Sequence, residues 1–300
     1  MTIQQCKYVL AIADTGSFNE ASKKLFVAQS SLSNSIKALE KELGIEIFER
    51  SNNGVFLTNA GTEFVRYASE IAQHEDFVMK RYSADNTVRK LYVSTQHYDF
   101  IADIFGRFIS NMQEDSYRIS LRETRTWDVV HDTETGYSDI GILAIKDSDF
   151  GIMKRFLEKK GLKFTPLVKA QAHIYIRREH PLANREKLTF GELGDYPYVS
   201  YDQGKNNISF FTEEITGEHS ARKHIEISDR ATLMNALLLS DCYTVGTGMM
   251  PSVLNDGKIC SVPLDTTDFY VIGYIVCTSR RLSDAANEFI GILCKSLKST

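Results

Sequence analysis

The chain has 300 residues, 43% of them hydrophobic and 25% charged, with a formal net charge of -4. Those values exclude a disordered or fibrous chain, leave room for about two globular domains, and exclude nucleic-acid binding through bulk positive charge. Five scattered cysteines (Cys6, Cys242, Cys260, Cys277 and Cys294) without C-x-x-C spacing exclude a disulfide scaffold and a zinc ribbon.

The opening MTIQQCKYVLAIADTG has no basic n-region and no long apolar core, and no later run approaches the ~20 apolar residues of a membrane span. The sequence therefore reads as cytoplasmic, with no membrane partner. Residues 2–13 form a first helix with Ile3, Cys6, Val9, Leu10 and Ala13 on one side. Ser17 and Glu20 have capping-box spacing for a short second helix, in which the small Ala21 permits close helix approach. After a turn at Phe26-Val27-Ala28, a third helix covers 29–43 and stops at Gly44.

This third helix has two unlike faces. Leu32, Ile36, Leu39 and Leu43 form a buried stripe, whereas Gln29, Ser30, Ser33, Asn34 and Lys37 lie off it. Short hydroxyl and amide side chains crowded at a helix N-terminus suit base edges in the DNA major groove. The run 47–58 is split by Asn53-Gly54 and reads as a β-hairpin, a wing whose Arg50, Asn52 and Asn53 face phosphates or the minor groove. Residues 1–58 balance six Lys and Arg against six Asp and Glu, so this reading rests on pattern rather than on charge. Thr58 N-caps a long helix reaching about residue 84, and its Phe64, Tyr67, Ala68, Ile71, Glu75 and Val78 make a near-heptad seam for pairing with a second copy. A two-fold dimer would present two reading helices to a near-palindromic site on double-stranded DNA.

From residue 90 strands alternate with helices, the pattern of a parallel sheet in an α/β domain. Strands are expected at 90–95, 118–123 and 138–143 with helices at 97–112 and 126–134. A second series of strands follows at 172–176, 198–201, 224–227, 242–245 and 259–262, then a strand at 271–277 and a helix at 283–297.

The N-terminal ~85 residues resemble the LysR-type transcriptional regulators. Gly16-Ser17-Phe18, Val27-x-Gln29-x-x-Leu32-Ser33, Ala38-Leu39-Glu40-x-x-Leu43-Gly44, Phe48-x-Arg50 and Leu57-Thr58-x-Ala60-Gly61 stand in the family's order. Three features depart from it: Ala28 replaces a capping Ser or Thr, Ser30 a frequent proline, and Asn34 and Asn53 frequent arginines. The resemblance implies an all-α winged helix-turn-helix domain (1–58), a linker helix for dimerisation (59–88) and an α/β effector-binding domain (89–300). That last domain would have two periplasmic-binding-protein-like lobes, about 89–163 with 265–300 and about 164–264, holding a small effector between them. It also implies a dimer or tetramer in which the effector alters DNA bending or RNA polymerase contact.

Ligands of such sheets sit beyond the carboxyl ends of strands. The expected effector contacts are therefore Ser94, Thr95 and Gln96, then Thr126, Tyr201 with Asp202, and Thr247. Hydroxyls, an amide and the neighbouring Arg125 suit a small polar or anionic metabolite. Gly246-x-Gly248 lacks the rest of a dinucleotide fingerprint and the seven histidines are dispersed, so neither cofactor nor metal is expected. No nucleophile elbow, acid pair or phosphate loop supports an enzyme. The alternative to an effector-responsive regulator is a constitutive DNA-binding protein whose C-terminal domain only oligomerises.

Overall fold

The computed structural model describes residues 1–51, 54–81, 88–204, 209–215, 221–251 and 257–298. Two compact units divide the chain, Met1–Asn86 and Thr87–Thr300.

In the first unit, helix α1 (Ile3–Thr15) opens with a complete capping box. The Gln5 N–H donates to Thr2 Oγ1 at 3.2 Å while the Thr2 N–H donates to Gln5 Oε1 at 2.8 Å. At the box expected for α2 (Phe18–Lys24), only half forms: Ser17 Oγ accepts from the Glu20 N–H, and the Glu20 carboxylate turns instead to Lys23 Nζ, 2.9 Å away. Helix α3 (Gln29–Leu43) buries Leu32, Ile36 and Leu39 against Val9, Ile12, Phe18 and Ala21. Leu43, expected to complete the stripe, is 38% exposed because it lies in the last turn, beyond the packed partners. Truncating a buried Leu of this kind costs about 2–5 kcal/mol. Strands β1 (Phe48–Ser51) and β2 (Gly54–Leu57) pair antiparallel as the expected hairpin. The Glu40 carboxylate fastens it to α3 by accepting from the Ile47 and Phe48 N–H groups, at 2.8 and 3.2 Å.

Helix α4 (Asn59–Arg81) starts where the Thr58 hydroxyl accepts from the Gly61 N–H at 2.9 Å. Gly61 is a steric requirement, since a Cβ there would stand 2.0 Å from the Ile47 carbonyl oxygen. Gly61→Ala should cost roughly 1–3 kcal/mol by overpacking backbone against backbone. Chemical denaturation would measure this, and an unchanged midpoint would show that the helix start shifts freely.

The single seam expected along α4 is divided. Phe64 and Val65 pack on the first unit's core, Ala68 is fully buried, and Glu75 pairs with Lys7 of α1 at 2.6 Å. Tyr67 and Val78 are 46% and 49% exposed and lie along one outward line of the helix. Helix α1 covers the side of α4 that carries Ala68 and Glu75 and leaves the side of Tyr67 and Val78 outward. The expected end near residue 84 lies outside the described residues.

The second unit contains two lobes. In lobe I the elements are β3 (Arg89–Thr95), α5 (Asp99–Ser110), β4 (Tyr117–Glu123), α6 (Thr126–Thr135), β5 (Ile140–Lys146), α7 (Phe150–Lys159) and β6 (Leu162–Gln171). Lobe II carries β7 (His173–Arg177), β8 (Tyr198–Tyr201), β9 (His224–Ile227), α8 (Arg230–Leu239), β10 (Thr244–Gly246) and β11 (Ile259–Pro263). Strand β12 (Phe269–Cys277) and helix α9 (Asp284–Lys298) return to lobe I.

The lobe I sheet has the order β4-β3-β5-β12-β6 and is mixed rather than wholly parallel. β3 runs parallel to β4 and β5, whereas β12 re-enters antiparallel to β5 and β6. In lobe II, β7 lies antiparallel between β10 and β11, and β8 runs parallel to β9. The first crossing falls at Ala172, not near residue 163. Pro166 hides β6 from sequence reading, yet the strand sits at the sheet edge beside a register shift, where a missing N–H is tolerated. The two crossing segments bond to each other, with the Leu264 N–H donating to the Ala172 carbonyl at 2.9 Å.

Cys242 precedes β10 and Cys260 lies on β11, on opposite sides of β7. Two strand spacings amount to roughly 9–10 Å, beyond the reach of a disulfide. Burial raises both thiols, so they are inert packing groups. No described helix is long and apolar enough to cross a membrane.

Candidate functional site

The exposed face of α3 carries Gln29, Ser30, Asn34 and Lys37, with Ser33 half-buried beside them. Its N-cap, Ala28, makes no side-chain bond, leaving the first-turn amides to an outside acceptor. In the preceding turn Phe26 has φ +55° and is 95% exposed, an unusual backbone conformation for an aromatic residue. Lys23 and Lys24 are engaged by Glu20 and Asp14, whereas Lys37 makes no ion pair with the described residues. Arg50 lies on β1 opposite Val55, and Asn52 and Asn53 fall outside the described residues.

The second unit separates the seven expected effector contacts. Only Tyr201 and Thr247 line the cavity between the lobes. Ser94 turns into lobe I, where its hydroxyl donates to Asp132 at 2.6 Å and meets Ser138 Oγ at 2.7 Å. Thr95 is buried, and its hydroxyl has no hydrogen-bond partner among the described residues. Gln96 is saturated: its NH2 donates to Thr126 Oγ1 at 2.6 Å and its carbonyl accepts from the Ala144 N–H at 2.7 Å. Thr126 in turn donates to the Phe211 carbonyl at 2.7 Å, tying α6 to the 209–215 segment of lobe II. Asp202 pairs with Arg125 across the lobes and accepts from the Gly204 N–H, a bond that with Arg125 holds its carboxyl below the usual range.

The rest of the cavity wall includes His97, Tyr98, Asp99, Tyr175, Glu213, Glu214, Met234, Thr244 and Met249. Its free volume is about 30 Å³. Glu213 is fully satisfied, accepting from the His97 N–H at 2.9 Å, from Gln203 Nε2 at 2.8 Å, and facing His97 Nδ1 at 3.0 Å. Burial opposes the His97 imidazolium, but the Glu213 bond and charge outweigh it and raise the pKa. The ring also stacks on Tyr201, 4.1 Å between centroids.

Glu214 accepts from the Tyr201 N–H at 2.8 Å. Burial, reinforced by the neighbouring charge of Glu213, pushes its carboxyl up to about 8. Arg230, the first residue of α8, reaches across to lobe I, 2.7 Å from Asp99 and 2.9 Å from Glu123. Burial lifts the Asp99 pKa in spite of that pair. Among the described residues two cations, His97 and Arg230, therefore stand beside four acids, Asp99, Glu123, Glu213 and Glu214, the last of which holds its proton at neutral pH. Gly246 is needed because a Cβ there would sit 2.3 Å from the Tyr175 ring, a packing role rather than a phosphate-binding one.

Residues 3–62 match the bacterial regulatory helix-turn-helix protein family of the LysR type, and residues 109–298 match the LysR substrate binding domain. The chain belongs to the LysR family. Its members are transcriptional regulators, not enzymes. This LysR-type chain is 26% identical to the uncharacterized HTH-type transcriptional regulator YbhD of Escherichia coli over 210 residues, 68% of this chain and 62% of that protein. To the transcriptional activator CmpR of Synechocystis it is 25% identical over 233 residues, 75% of this chain and 71% of the relative. Among solved structures, CbnR, a LysR family transcriptional regulator, superposes with a TM-score of 0.64 at 18% identity over 99% of both chains. Full-length CbnR complexed with its target DNA gives 0.63 at 16% identity, covering 99% of this chain and 100% of that one. At such identities the likeness shows the shared fold: an N-terminal helix-turn-helix followed by a two-lobed domain. Among the described residues no group of three or more His, Cys, Asp or Glu side chains is arranged to hold a metal ion.

Proposed function

We propose that this chain is a cytoplasmic, DNA-binding transcriptional regulator whose two-lobed domain responds to a small effector held between the lobes. The observation that carries the reading is α3, which buries Leu32, Ile36 and Leu39 while presenting Gln29, Ser30, Ser33, Asn34 and Lys37 at its uncapped, outward N-terminal half. Arg50, Asn52 and Asn53 of the wing extend the same contact. Even charge in the first 58 residues makes one copy a weak binder, so the exposed Tyr67 and Val78 face of α4 is the surface that pairs two copies. The assembly is a dimer or tetramer on a near-palindromic site, with RNA polymerase contact as its output. Effector and DNA communicate only if the effector binds the two lobe arrangements unequally.

An electrophoretic shift on DNA upstream of the chain's own gene, followed by genomic pull-down, tests this. Gln29→Ala should weaken specific binding about tenfold or more by removing a base contact. Lys37→Glu should weaken binding to all sequences and flatten the salt dependence. Retained affinity in both variants would remove α3 as the reading helix.

A further inference from the structure

We propose that the interlobe cavity receives a small organic cation, a short primary alkylammonium, lodged against the Glu214 carboxyl and the Thr244 hydroxyl. This rests on reading the cleft as the effector site and adds the charge and chemical class of its occupant. Three observations converge on it. The first is charge: among the described residues Asp99, Glu123 and Glu213 face His97 and Arg230, both already engaged, His97 by Glu213 and Arg230 by Glu123 and Asp99, while Glu214 holds a proton at neutral pH that it releases when a cation binds beside it. An entering anion would meet surplus carboxylate, whereas a cation neutralises it. The second is an orphan acceptor. Thr244 is 3% exposed, lines the cavity from β10, and its hydroxyl has no hydrogen-bond partner among the described residues. An ammonium carries three N–H donors and no acceptor, which suits a wall that offers acceptors.

The third is the remaining lining. The rings of Tyr98, Tyr175 and Tyr201 and the thioethers of Met234 and Met249 surround the acids. Aromatic faces and polarizable sulfur accept an alkylammonium, the rings by cation–π attraction and the methionines by adapting to its short chain. The small open volume restricts the ligand to a few heavy atoms. Among the described residues Glu214 makes no ion pair, and the neighbouring charge that acts on it is that of Glu213. Binding a cation beside it supplies the missing counter-charge.

Full-length protein should be titrated with methylammonium, ethylammonium and n-butylammonium chlorides, and with sodium acetate and butyrate, at matched ionic strength. Trp127 provides the optical readout, because its ring lies 5.8 Å from that of Phe211, in the segment that carries Glu213 and Glu214. We expect a saturable fluorescence change and a raised Tm with an ammonium and neither with the carboxylates. Glu214→Gln should weaken the ammonium about tenfold or more by removing a charge-assisted bond. Thr244→Val, which leaves the acids in place, should weaken it severalfold. Undiminished ammonium binding in both variants overturns the proposal, as does the absence of any saturable ammonium response. Saturable binding of acetate or butyrate instead overturns the cation while leaving the effector site standing. Ammonium binding that leaves DNA affinity unchanged upholds the cation and removes its regulatory role.

Discussion

Replacing Arg230 with methionine is expected to destabilise the second unit by about 3 kcal/mol, the low end of what breaking a buried ion pair costs. The side chain spans the lobes from the first turn of α8 to Glu123 at the end of β4 and Asp99 at the start of α5. Methionine keeps most of the volume but leaves two carboxylates facing each other without a cation. Asp99 suffers most, because its side chain is only 9% exposed and water cannot replace the guanidinium. Each kcal/mol moves Tm by roughly 2–4 °C in a domain of this size, so calorimetry resolves the change. Asp99→Asn in the Arg230→Met background should recover part of the loss, since the repulsion then falls. An unchanged Tm in Arg230→Met would mean that the bridge is fully hydrated and does not hold the lobes together.

The pH dependence of stability should show a second large effect, centred on Glu214. Its carboxyl is moved from an ordinary 4.5 to about 8 in the folded chain by burial and by Glu213. Between those two values the folded state binds more protons than the unfolded state, so unfolding free energy falls as pH rises. The contribution is fully present below about pH 4.5 and is lost as pH rises through about 8. His97 and Asp99, whose pKa values are also raised, act in the same direction. Glu214→Gln keeps an oxygen for the Tyr201 N–H but cannot ionise. The variant should match the parent chain near pH 5 and exceed it in Tm by several degrees near pH 8, because each pH step of one costs the ionisable chain about 1.4 kcal/mol in this window. Parallel Tm curves for the two proteins across this range would show that Glu214 ionises in the folded state as it does in water.

Legibility in the sequence was unequal between the two units. Helices α1 to α3, the hairpin and the start of α4 follow from local signals: the stripe of Leu32, Ile36 and Leu39, Asn53-Gly54, and Thr58 as a cap. The cleft does not follow in that way. Ser94, Gln96 and Thr126 stand at strand ends and helix starts, as a ligand-contacting group would, yet their hydroxyls and amide are consumed in joining β3, α6 and the 209–215 segment. Glu213 and Glu214 lie in a stretch without a helix or strand period, so no local signal marks them. They are buried because Phe211, two residues earlier, packs into the lobe I core beside Val129 and Leu143 and pulls the acids inward.

Sequence alone determined the helix-turn-helix, the outward polar face of its third helix and the alternation of strands and helices, because those depend on periodicity, capping and turn chemistry between residues close along the chain. Tertiary structure decided that the late strand β12 makes the lobe I sheet mixed, that the first crossing falls at Ala172, and that the cleft is acidic. Each of these is a meeting of residues far apart in the chain. Asp99 meets Arg230 across 131 positions and His97 meets Glu213 across 116, distances over which no local pattern carries information.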